Sequence, residues 1–440
     1  MTFAFNCQRV SPAFVVALSF LASTVSLSAE DWAQWRGAKA NGTWHGPELK
    51  TEFTSEDMPQ LWRHDCGGGY AGVTAADGRV FLHDRLEQGE ADTEFAGREV
   101  ERVQCFDLRT GDRHWVHQYA VTYDNLDYGN GPRSAPTVVG DVIYTCGALG
   151  HLKCLKVTDG TEVWSKHLQE DLAGRLPTWG YSASPVIRGE MLYIQPGADQ
   201  EEAKTQEAGS GAIVALNRQN GKLIWSSLSD EAGYCTPIIE PHAGIDLLVF
   251  WTPSHIRGLN AETGEALWEF PYEITYKVSI ATPIIHQDIV VICGYWDGSK
   301  AIKLGSTPKA ADLLWEDKRN LRGLMSQPLY KGDYVYLLDK TYGLTCFELT
   351  TGEKIWDDKN QVTPRERHPH ATFVWLNDTN QALILNAAGE FITAELTPEG
   401  YSEHSRVKLI DHTWAHPAYA EDCVMVRSDS QIICYQLPVK

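Results

Sequence analysis

The chain has 440 residues, of which 43% are hydrophobic and 22% charged, and it carries a formal net charge of −20. This composition is that of a folded globular protein and excludes an intrinsically disordered chain. The acidic balance also excludes a nucleic-acid partner, because proteins that bind the phosphate backbone need a basic surface.

Residues 1–29 have the pattern of a secretory signal peptide. Arg9 precedes an apolar run over 13–22, and the small residues that follow offer a cleavage site after Ser28 or Ala29. The apolar run is too short to cross about 30 Å of hydrocarbon. We therefore expect an exported protein without a membrane span, located in the periplasm or outside the cell.

Residues 30–59 precede the first regular pattern and form an N-terminal extension. This segment begins with Trp-Ala-Gln-Trp-Arg-Gly over 32–37 and continues with Asn41-Gly42. We expect it to pack along the outside or one face of the domain that follows, which covers 60–440.

An eleven-residue motif then recurs five times without gaps, at intervals of about 40 to 60 residues. Each copy has a glycine at its seventh position, which supplies the positive φ of a hairpin turn, and a tryptophan at its eleventh. The copies are 105–115, 154–164, 215–225, 258–268 and 346–356. A sixth copy ends at Trp315 and lacks the glycine.

These residues are predicted to dock neighbouring repeats against one another, because a tryptophan at a constant step from a glycine turn is a packing device. The predicted docking residues are Trp62, Gly111, Trp115, Gly160, Trp164, Gly221, Trp225, Gly264, Trp268, Trp315, Gly352 and Trp356.

A second hairpin precedes each motif, as in 134–147 and 326–338, where Gly-Asp forms the turn between alternating strands. Four short antiparallel strands in such a unit make a propeller blade. Eight units can be counted, with a degenerate seventh over 368–410 and an eighth over 414–437 that lacks its last strand. Because the strand around Trp62 has no preceding partner, we expect it to complete that last blade. The sequence thus predicts an all-β, eight-bladed propeller of four-stranded antiparallel blades, closed by an N-terminal strand.

The cysteines favour free structural thiols over a disulfide framework. Nine follow the predicted cleavage site, no two are adjacent, and no pair has CxxC spacing. Cys105, Cys154, Cys346 and Cys434 occupy one equivalent repeat position, where a small buried apolar side chain is expected.

The eleven-residue segments resemble the tryptophan-docking motif of the quinoprotein-alcohol-dehydrogenase-like eight-bladed propellers. The opening over 32–37 and the segment 179–185 are similar to secreted PQQ-like repeat proteins of planctomycete-type bacteria. The family includes dehydrogenases that use pyrroloquinoline quinone (PQQ). It also includes non-catalytic members, such as the propeller lipoprotein of the outer-membrane β-barrel assembly machinery. The resemblance implies the fold over nearly the whole mature chain and does not fix the function.

The family's dehydrogenases cover the quinone with a disulfide of neighbouring cysteines and hold a divalent cation with Glu and Asn beside a catalytic Asp. This chain has no adjacent cysteines, and no position matches the catalytic Asp or the metal Glu. We therefore assign no catalytic residue, no metal site and no cofactor. PQQ with Ca²⁺ belongs to the alternative in which the protein is a dehydrogenase.

The loops before the innermost strands are expected to gather at one mouth of the central channel, where propellers usually bind small ligands. Aromatic residues and one or two cations there suit an anionic or planar ligand. The predicted mouth residues are Tyr70, Arg133, Trp179, Tyr181, Tyr234, Lys277, His370, Trp414 and His416. Packing between blades and solvated loops remain the alternative for the same residues.

Two acidic stretches are interpreted as a turn and a loop. Residues 124–130 offer oxygen atoms for a calcium loop, but a polar turn is the favoured interpretation. Residues 87–101 are an acidic insertion in the first blade, which we expect to be an exposed loop.

The sequence thus favours an exported, monomeric, non-catalytic propeller that acts as a binding or assembly scaffold for a protein or a cell-envelope component. A PQQ-dependent dehydrogenase with an atypical site is one alternative. A propeller that binds or acts on carbohydrate is another, suggested by the aromatic mouth.

Overall fold

Strands of a repeated four-stranded pattern are the main regular structure of the chain. The structure is a computed structural model that describes residues 1–2, 29–91, 94–124, 126–198 and 211–440, so the predicted signal segment lies almost entirely outside the described residues. The described residues form eight antiparallel blades in a ring. The predicted eight-bladed propeller is therefore confirmed. Within the described ranges, no helix is long and apolar enough to span a bilayer.

Two short strands precede the blades, namely β1 (Thr43–Trp44) and β2 (Gln60–Asp65). Blade 1 contains β3 (Thr74–Ala76), β4 (Arg79–Leu86), β5 (Glu99–Asp107) and β6 (Arg113–Val121). Blade 2 contains β7 (Thr137–Val139), β8 (Val142–Cys146), β9 (His151–Lys156) and β10 (Glu162–His167). The helix α1 (Leu168–Leu172) follows β10.

Blade 3 contains β11 (Val186–Arg188), β12 (Met191–Ile194), β13 (Ile213–Asn217) and β14 (Leu223–Ser227). Blade 4 contains β15 (Ile238–His242), β16 (Ile245–Trp251), β17 (His255–Asn260) and β18 (Ala266–Pro271). Blade 5 contains β19 (Ile284–His286), β20 (Ile289–Gly294), β21 (Gly298–Leu304) and β22 (Ala311–Asp317).

Blade 6 contains β23 (Leu329–Lys331), β24 (Tyr334–Asp339), β25 (Gly343–Glu348) and β26 (Lys354–Asp357). Blade 7 contains β27 (Ala371–Leu376), β28 (Gln381–Asn386), β29 (Glu390–Thr397) and β30 (Gly400–Lys408). Blade 8 contains β31 (Ala418–Ala420), β32 (Cys423–Arg427) and β33 (Gln431–Gln436). Short 3₁₀ turns cover Ser55–Asp57 and Thr275–Lys277.

The first strand of each blade lines the central channel, because first strands of adjacent blades contact one another around the ring. The eighth blade is completed by β2, which pairs antiparallel with β33 and places Trp62 opposite Cys434. The predicted closure by an N-terminal strand is thus confirmed. It joins the two ends of the domain and covers an edge that would otherwise be open.

The docking residues meet between blades. The indole of Trp115 lies over Gly160 of the next blade, where an added Cβ would come within 2.5 Å of the ring, and its Nε1 donates to the Val157 carbonyl at 2.8 Å. The same stacking and indole donation join four more pairs, which are Trp62 with Gly111, Trp164 with Gly221, Trp225 with Gly264, and Trp315 with Gly352.

Two predicted docking tryptophans differ from this pattern. Trp356 donates to the Thr397 carbonyl at 2.9 Å in the degenerate seventh blade. The Nε1 of Trp268 has no hydrogen-bond partner among the described residues. The next copy of the motif, which ends at Trp315, is the one that has lost its glycine turn. This loss explains why Trp268 finds no turn carbonyl to bind.

The N-terminal extension does more than pack along the outside or one face. Residues 32–44 enter the central channel and contact first strands around the ring. The carbonyl of Trp32 accepts from Ala75 at 3.1 Å, and Trp35 donates to Thr282 at 2.9 Å. Strand β1 adds to β27 in parallel as a fifth strand of blade 7. We call residues 32–44 the plug.

Aromatic stacking fixes the plug. Trp44 is fully buried, and its ring stacks on Tyr419 with centroids 5.2 Å apart. Residues 45–59 then follow one face of the ring outward, where the Phe53 ring lies 6.4 Å from that of Phe391. The path ends at β2, so one continuous segment joins the channel to the outer rim.

All nine described cysteines are free, as the sequence suggested. Eight of them are buried and Cys66 is half-buried. Burial raises the pKa of Cys105 to about 11, which keeps its thiol protonated and unreactive at neutral pH.

Candidate functional site at the channel mouth

Two kinds of connection form the face of the ring opposite the plug's entry. The loops that lead from the last strand of one blade to the first strand of the next rise here, as do the turns between second and third strands. We call this side the mouth face. Its side chains come from loops, which is where propellers place binding residues on a rigid scaffold.

Five predicted mouth residues do come together. Tyr70 and Trp414 have ring centroids 5.8 Å apart, and the guanidinium of Arg133 lies 5.5 Å from the centre of the Tyr70 ring. His370 lies 6.3 Å from Trp414 and 5.9 Å from His416. These contacts join the loops before blades 1, 2, 7 and 8 into one group beside the channel.

Arg133 organises the loop that covers this group. Its guanidinium donates to the carbonyls of Asp127, Gly129 and Gly131 at 2.8 to 3.1 Å. The carbonyl oxygens that a calcium loop would offer are therefore bound to Arg133, and the described part of 124–130 is a polar turn. The turn holds Tyr128 in the left-handed conformation, with φ +67° and 52% of its surface exposed.

The two channel histidines are neutral at physiological pH. Burial lowers the pKa of His370 to about 4 and that of His416 well below its usual value. The Nδ1 of His370 is 3.3 Å from the Ser326 hydroxyl, and the His416 ring lies 4.3 Å from Trp35 at the tip of the plug. The plug, which enters the channel from the opposite face, therefore reaches as far as His416.

Three other predicted mouth residues lie apart from this group, in the loops before blades 3, 4 and 5. Trp179 and Tyr234 have ring centroids 5.7 Å apart, and the Trp179 amide donates to the Tyr234 hydroxyl at 3.4 Å. Lys277 forms an ion pair with Glu231 at 2.7 Å. Its charge is therefore compensated by a neighbouring carboxylate.

Tyr181 is not a mouth residue. It is 97% buried in the core between blades 2 and 3, where its hydroxyl donates to the Pro196 carbonyl at 2.9 Å. Its position just before an inner strand resembled that of Tyr70. The difference is that Tyr181 turns sideways between blades, as the packing alternative predicted.

The mouth face also carries aromatic residues that the sequence analysis missed. Tyr295 and Trp296 lie in the turn between β20 and β21 with centroids 4.6 Å apart, and Tyr276, 68% exposed, lies 5.9 Å from Trp296. His368 is 5.9 Å from Tyr128 and accepts or donates a 3.0 Å hydrogen bond with Tyr295. The predicted mouth residues all lie in loops before inner strands, and none of them lies in a hairpin turn. An aromatic pair at a hairpin turn, where Gly and Asp are usual, was the signal that could have revealed them.

A buried polar cluster corrects the prediction for 87–101. Glu101 belongs to β5 and is fully buried, not part of an exposed loop. Its carboxylate accepts hydrogen bonds from the hydroxyls of Tyr119 and Tyr123, and it lies 3.6 Å from His83. Despite desolvation, these partners hold the pKa of Glu101 at about 2. The cluster fixes the seam of blades 1 and 2, whereas the described residues of 87–98 are mainly exposed.

The residues of the mouth do not fit a quinone held by Ca²⁺. Calcium needs six to eight oxygen ligands, with several carboxylates among them. The described ranges contain no group of three or more His, Cys, Asp or Glu side chains placed to hold a metal. The groups nearest the channel are aromatic rings, neutral imidazoles and a guanidinium, so we derive no reaction step through a cofactor.

Comparison with known proteins identifies the family. The family model described as outer membrane protein assembly factor BamB matches residues 99–358. The chain belongs to this family. A curated BamB from Shewanella oneidensis is 21% identical over 307 residues, which are 67% of this chain and 71% of that protein.

Solved structures show the same fold. The BamB-family chain superposes on the crystal structure of BamB from Moraxella catarrhalis with a TM-score of 0.56 at 14% identity. The match covers 86% of this chain and 98% of the other. The computationally designed Ika8 protein gives the same TM-score at 12% identity and covers 86% and 99% of the two chains. A designed protein with this fold illustrates that the architecture alone carries no function.

Proposed function

We propose that this protein is an exported, non-catalytic propeller that binds a protein partner in the cell envelope through its mouth face. The observation that carries the proposal is the mouth itself, where exposed aromatic rings stand beside cations. The signal pattern of residues 1–29 and membership of the BamB family agree with a role outside the cytoplasm.

The composition of the mouth supports a protein partner. Tyrosine, tryptophan and arginine are the residues enriched at the energetic centres of protein interfaces. Tyr128 and Tyr276 expose more than half of their surface on this face, and neither belongs to the core of a blade. The relative from Shewanella is named an outer membrane protein assembly factor, and a protein partner for this chain is in keeping with that name.

Photo-crosslinking in cells tests the proposal. A photoreactive amino acid at Tyr128 is expected to yield a discrete crosslinked product in the envelope fraction, because this side chain stands at the centre of the mouth. The matched control is the same amino acid at Asp141, an exposed turn residue on the opposite face. Equal yields of the same product at both positions, or none at Tyr128, would contradict the proposal.

Export and the absence of catalysis need their own tests. The N-terminal sequence of the mature protein should begin at Ala29 or Glu30, as the cleavage pattern predicts. The purified protein supplied with PQQ and Ca²⁺ should neither bind the quinone saturably nor reduce a dye with alcohols, sugars or polyols. Turnover in that assay would establish the dehydrogenase alternative.

A further inference from the structure

Cations without ion pairs gather on one side of the mouth face of this acidic protein. Within the described part of the chain, Arg322, Lys340, Arg365 and Arg367 form no ion pair with a carboxylate. They come from the loops before blades 6 and 7 and from the turn between β24 and β25. By contrast, Lys277 elsewhere on the mouth face and Arg188 on the opposite face are paired with carboxylates, and Arg133 donates to backbone carbonyls.

Aromatic rings hold these cations in place. The ammonium of Lys340 lies 5.0 Å from the centre of the Tyr295 ring and also sits over Trp296. Arg322 donates to the Thr341 hydroxyl at 2.7 Å, while its Nε is buried without a partner. Burial, together with the nearby charges of Arg367 and Lys340, lowers the pKa of His368. We call the group Tyr276, Trp296, Arg322, Lys340, Arg367 and His368 the basic aromatic patch.

The carboxylates near this patch are already occupied. Asp339 is fully buried and accepts the backbone amides of Arg322, Thr341 and Tyr342 at 2.7 to 2.9 Å. Asp297 accepts the amide and hydroxyl of Thr275 at 2.7 and 3.1 Å. Glu366 lies between Arg365 and Arg367 and is the one exposed acidic neighbour in that loop. Hydrogen bonds from neutral groups do not remove these negative charges. Four cations nevertheless outnumber the three carboxylates, so the patch keeps a small excess of positive charge on a chain whose net charge is −20.

We infer that the basic aromatic patch binds an acidic segment of the partner protein, with carboxylates against Lys340, Arg322 and Arg367 and an apolar or aromatic side chain against Tyr276 and Trp296. This inference rests on the proposed function and names its partner's chemistry. Charge complementarity fixes the sign of the partner, because an anionic segment would neutralise cations that the protein leaves unpaired. The tyrosine, tryptophan and arginine content favours a polypeptide.

Binding of synthetic peptides to the purified full-length mature protein tests the inference. The probe is a peptide that alternates Asp or Glu with Tyr or Phe, and its control replaces every acidic residue by Asn or Gln. In titration calorimetry the acidic peptide should bind saturably, whereas the amide peptide should bind at least about tenfold more weakly. Added salt should weaken the acidic peptide, because exposed charges are screened.

Matched variants locate the site. Lys340→Met combined with Arg367→Gln should weaken the acidic peptide at least about tenfold, since both charges are lost. Arg188→Gln removes a cation from the opposite face whose charge Asp246 already compensates, and it should leave the affinity unchanged. Circular dichroism should match the parent protein in both variants.

Three outcomes would overturn the inference. The first is equal affinity for the acidic and amide peptides, and the second is an equal loss in Arg188→Gln and the double variant. The third is binding of an oligouronate in place of the peptide, which would assign the patch to a glycan. Crosslinking at Tyr128 that persists in the double variant would leave the proposed function standing while this inference fails. Loss of crosslinking in the parent protein would instead remove the proposed function.

Discussion

The two ends of the central channel are built in opposite ways. At one end the plug is buried, its rings stack on channel residues such as Tyr419, and its carbonyls accept from the first strands of several blades. At the other end Tyr128 and Tyr276 are more than half exposed, and four nearby cations lack a carboxylate partner among the residues that the structure describes. One end is closed by the chain itself, whereas the other is left for another molecule.

This difference separates the residues that stabilise the folded propeller from the residues that bind a partner. Side chains that fill a cavity and satisfy backbone groups contribute to the free energy of unfolding. Exposed rings and unpaired cations contribute little to folding, and they gain most of their interaction free energy when a partner removes them from water. The plug end should therefore respond to mutation with a loss of stability and the mouth with a loss of binding.

The largest effect is expected at the plug. Trp44→Ala should lower the free energy of unfolding by about 3–5 kcal/mol, because it removes a fully buried indole that stacks on Tyr419 and donates to the Glu30 carbonyl at 2.8 Å. Urea unfolding followed by circular dichroism measures the change. A loss below about 1 kcal/mol, the size expected at an exposed site, would mean that the plug is not an integral part of the folded ring.

The second effect tests the channel wall between the two ends. Burial lowers the pKa of His370 to about 4 in the folded protein. In the unfolded chain the same imidazole binds a proton below about pH 6.5. Stability should be fully present above that pH and fall as the pH is lowered towards 4, by on the order of 3 kcal/mol from this residue.

The variant His370→Gln isolates this contribution. Urea unfolding at pH 7 and pH 4.5 should show a smaller loss on acidification for the variant than for the parent protein, with His412 and His416 still facing the site in both. A loss of equal size in the two proteins would indicate that His370 is solvated and that the channel is open to water at this level.

The sequence predicted the closed end poorly and the ring well, for a physical reason. The ring depends on a repeated local device, glycine turn and tryptophan, and repetition makes it visible in one sequence. The plug is a single segment, and whether it lies outside the ring or inside the channel depends on contacts with residues such as Ala75 and Thr282, hundreds of positions apart from each other.

The mouth was predictable in part for the same reason. Tyr70, Arg133, His370, Trp414 and His416 precede inner strands, a position that topology alone brings to one face. The basic aromatic patch depends instead on side-chain directions in hairpin turns, such as that of Lys340 over Tyr295. Tyr181 shares the favoured position but turns into the seam between blades, and only the packing of its neighbours decides that direction.

The third effect concerns the packing of tryptophans on glycine turns, which joins neighbouring blades throughout the ring. Gly160→Ala places a Cβ about 2.5 Å from the ring of Trp115 at φ +71°, whereas Gly140→Ala meets no atom within 4 Å at φ +60°. Both changes carry the backbone strain of a positive φ. Gly160→Ala should therefore be less stable than Gly140→Ala by about 2 kcal/mol, from overlap with the indole.

Urea midpoints of the two glycine variants measure this difference. Similar losses in both would show that the tryptophan can shift away at no cost, in which case the seams between blades are looser than the stacking suggests. A larger loss in Gly140→Ala would reverse the expected order and remove the indole contact as its cause.

The smallest effect on stability is expected at the mouth face, which is the end of the channel opposite the plug. Tyr276→Ala should change the free energy of unfolding by less than about 0.5 kcal/mol, because 68% of this side chain is exposed and its one ring neighbour is Trp296. The same variant should weaken the acidic peptide severalfold, since an aromatic anchor is lost. Parallel urea unfolding and peptide titration of this one variant measure both. A stability loss above about 1 kcal/mol with unchanged peptide affinity would make the mouth a second structural end of the ring, and the contrast with Trp44→Ala would disappear.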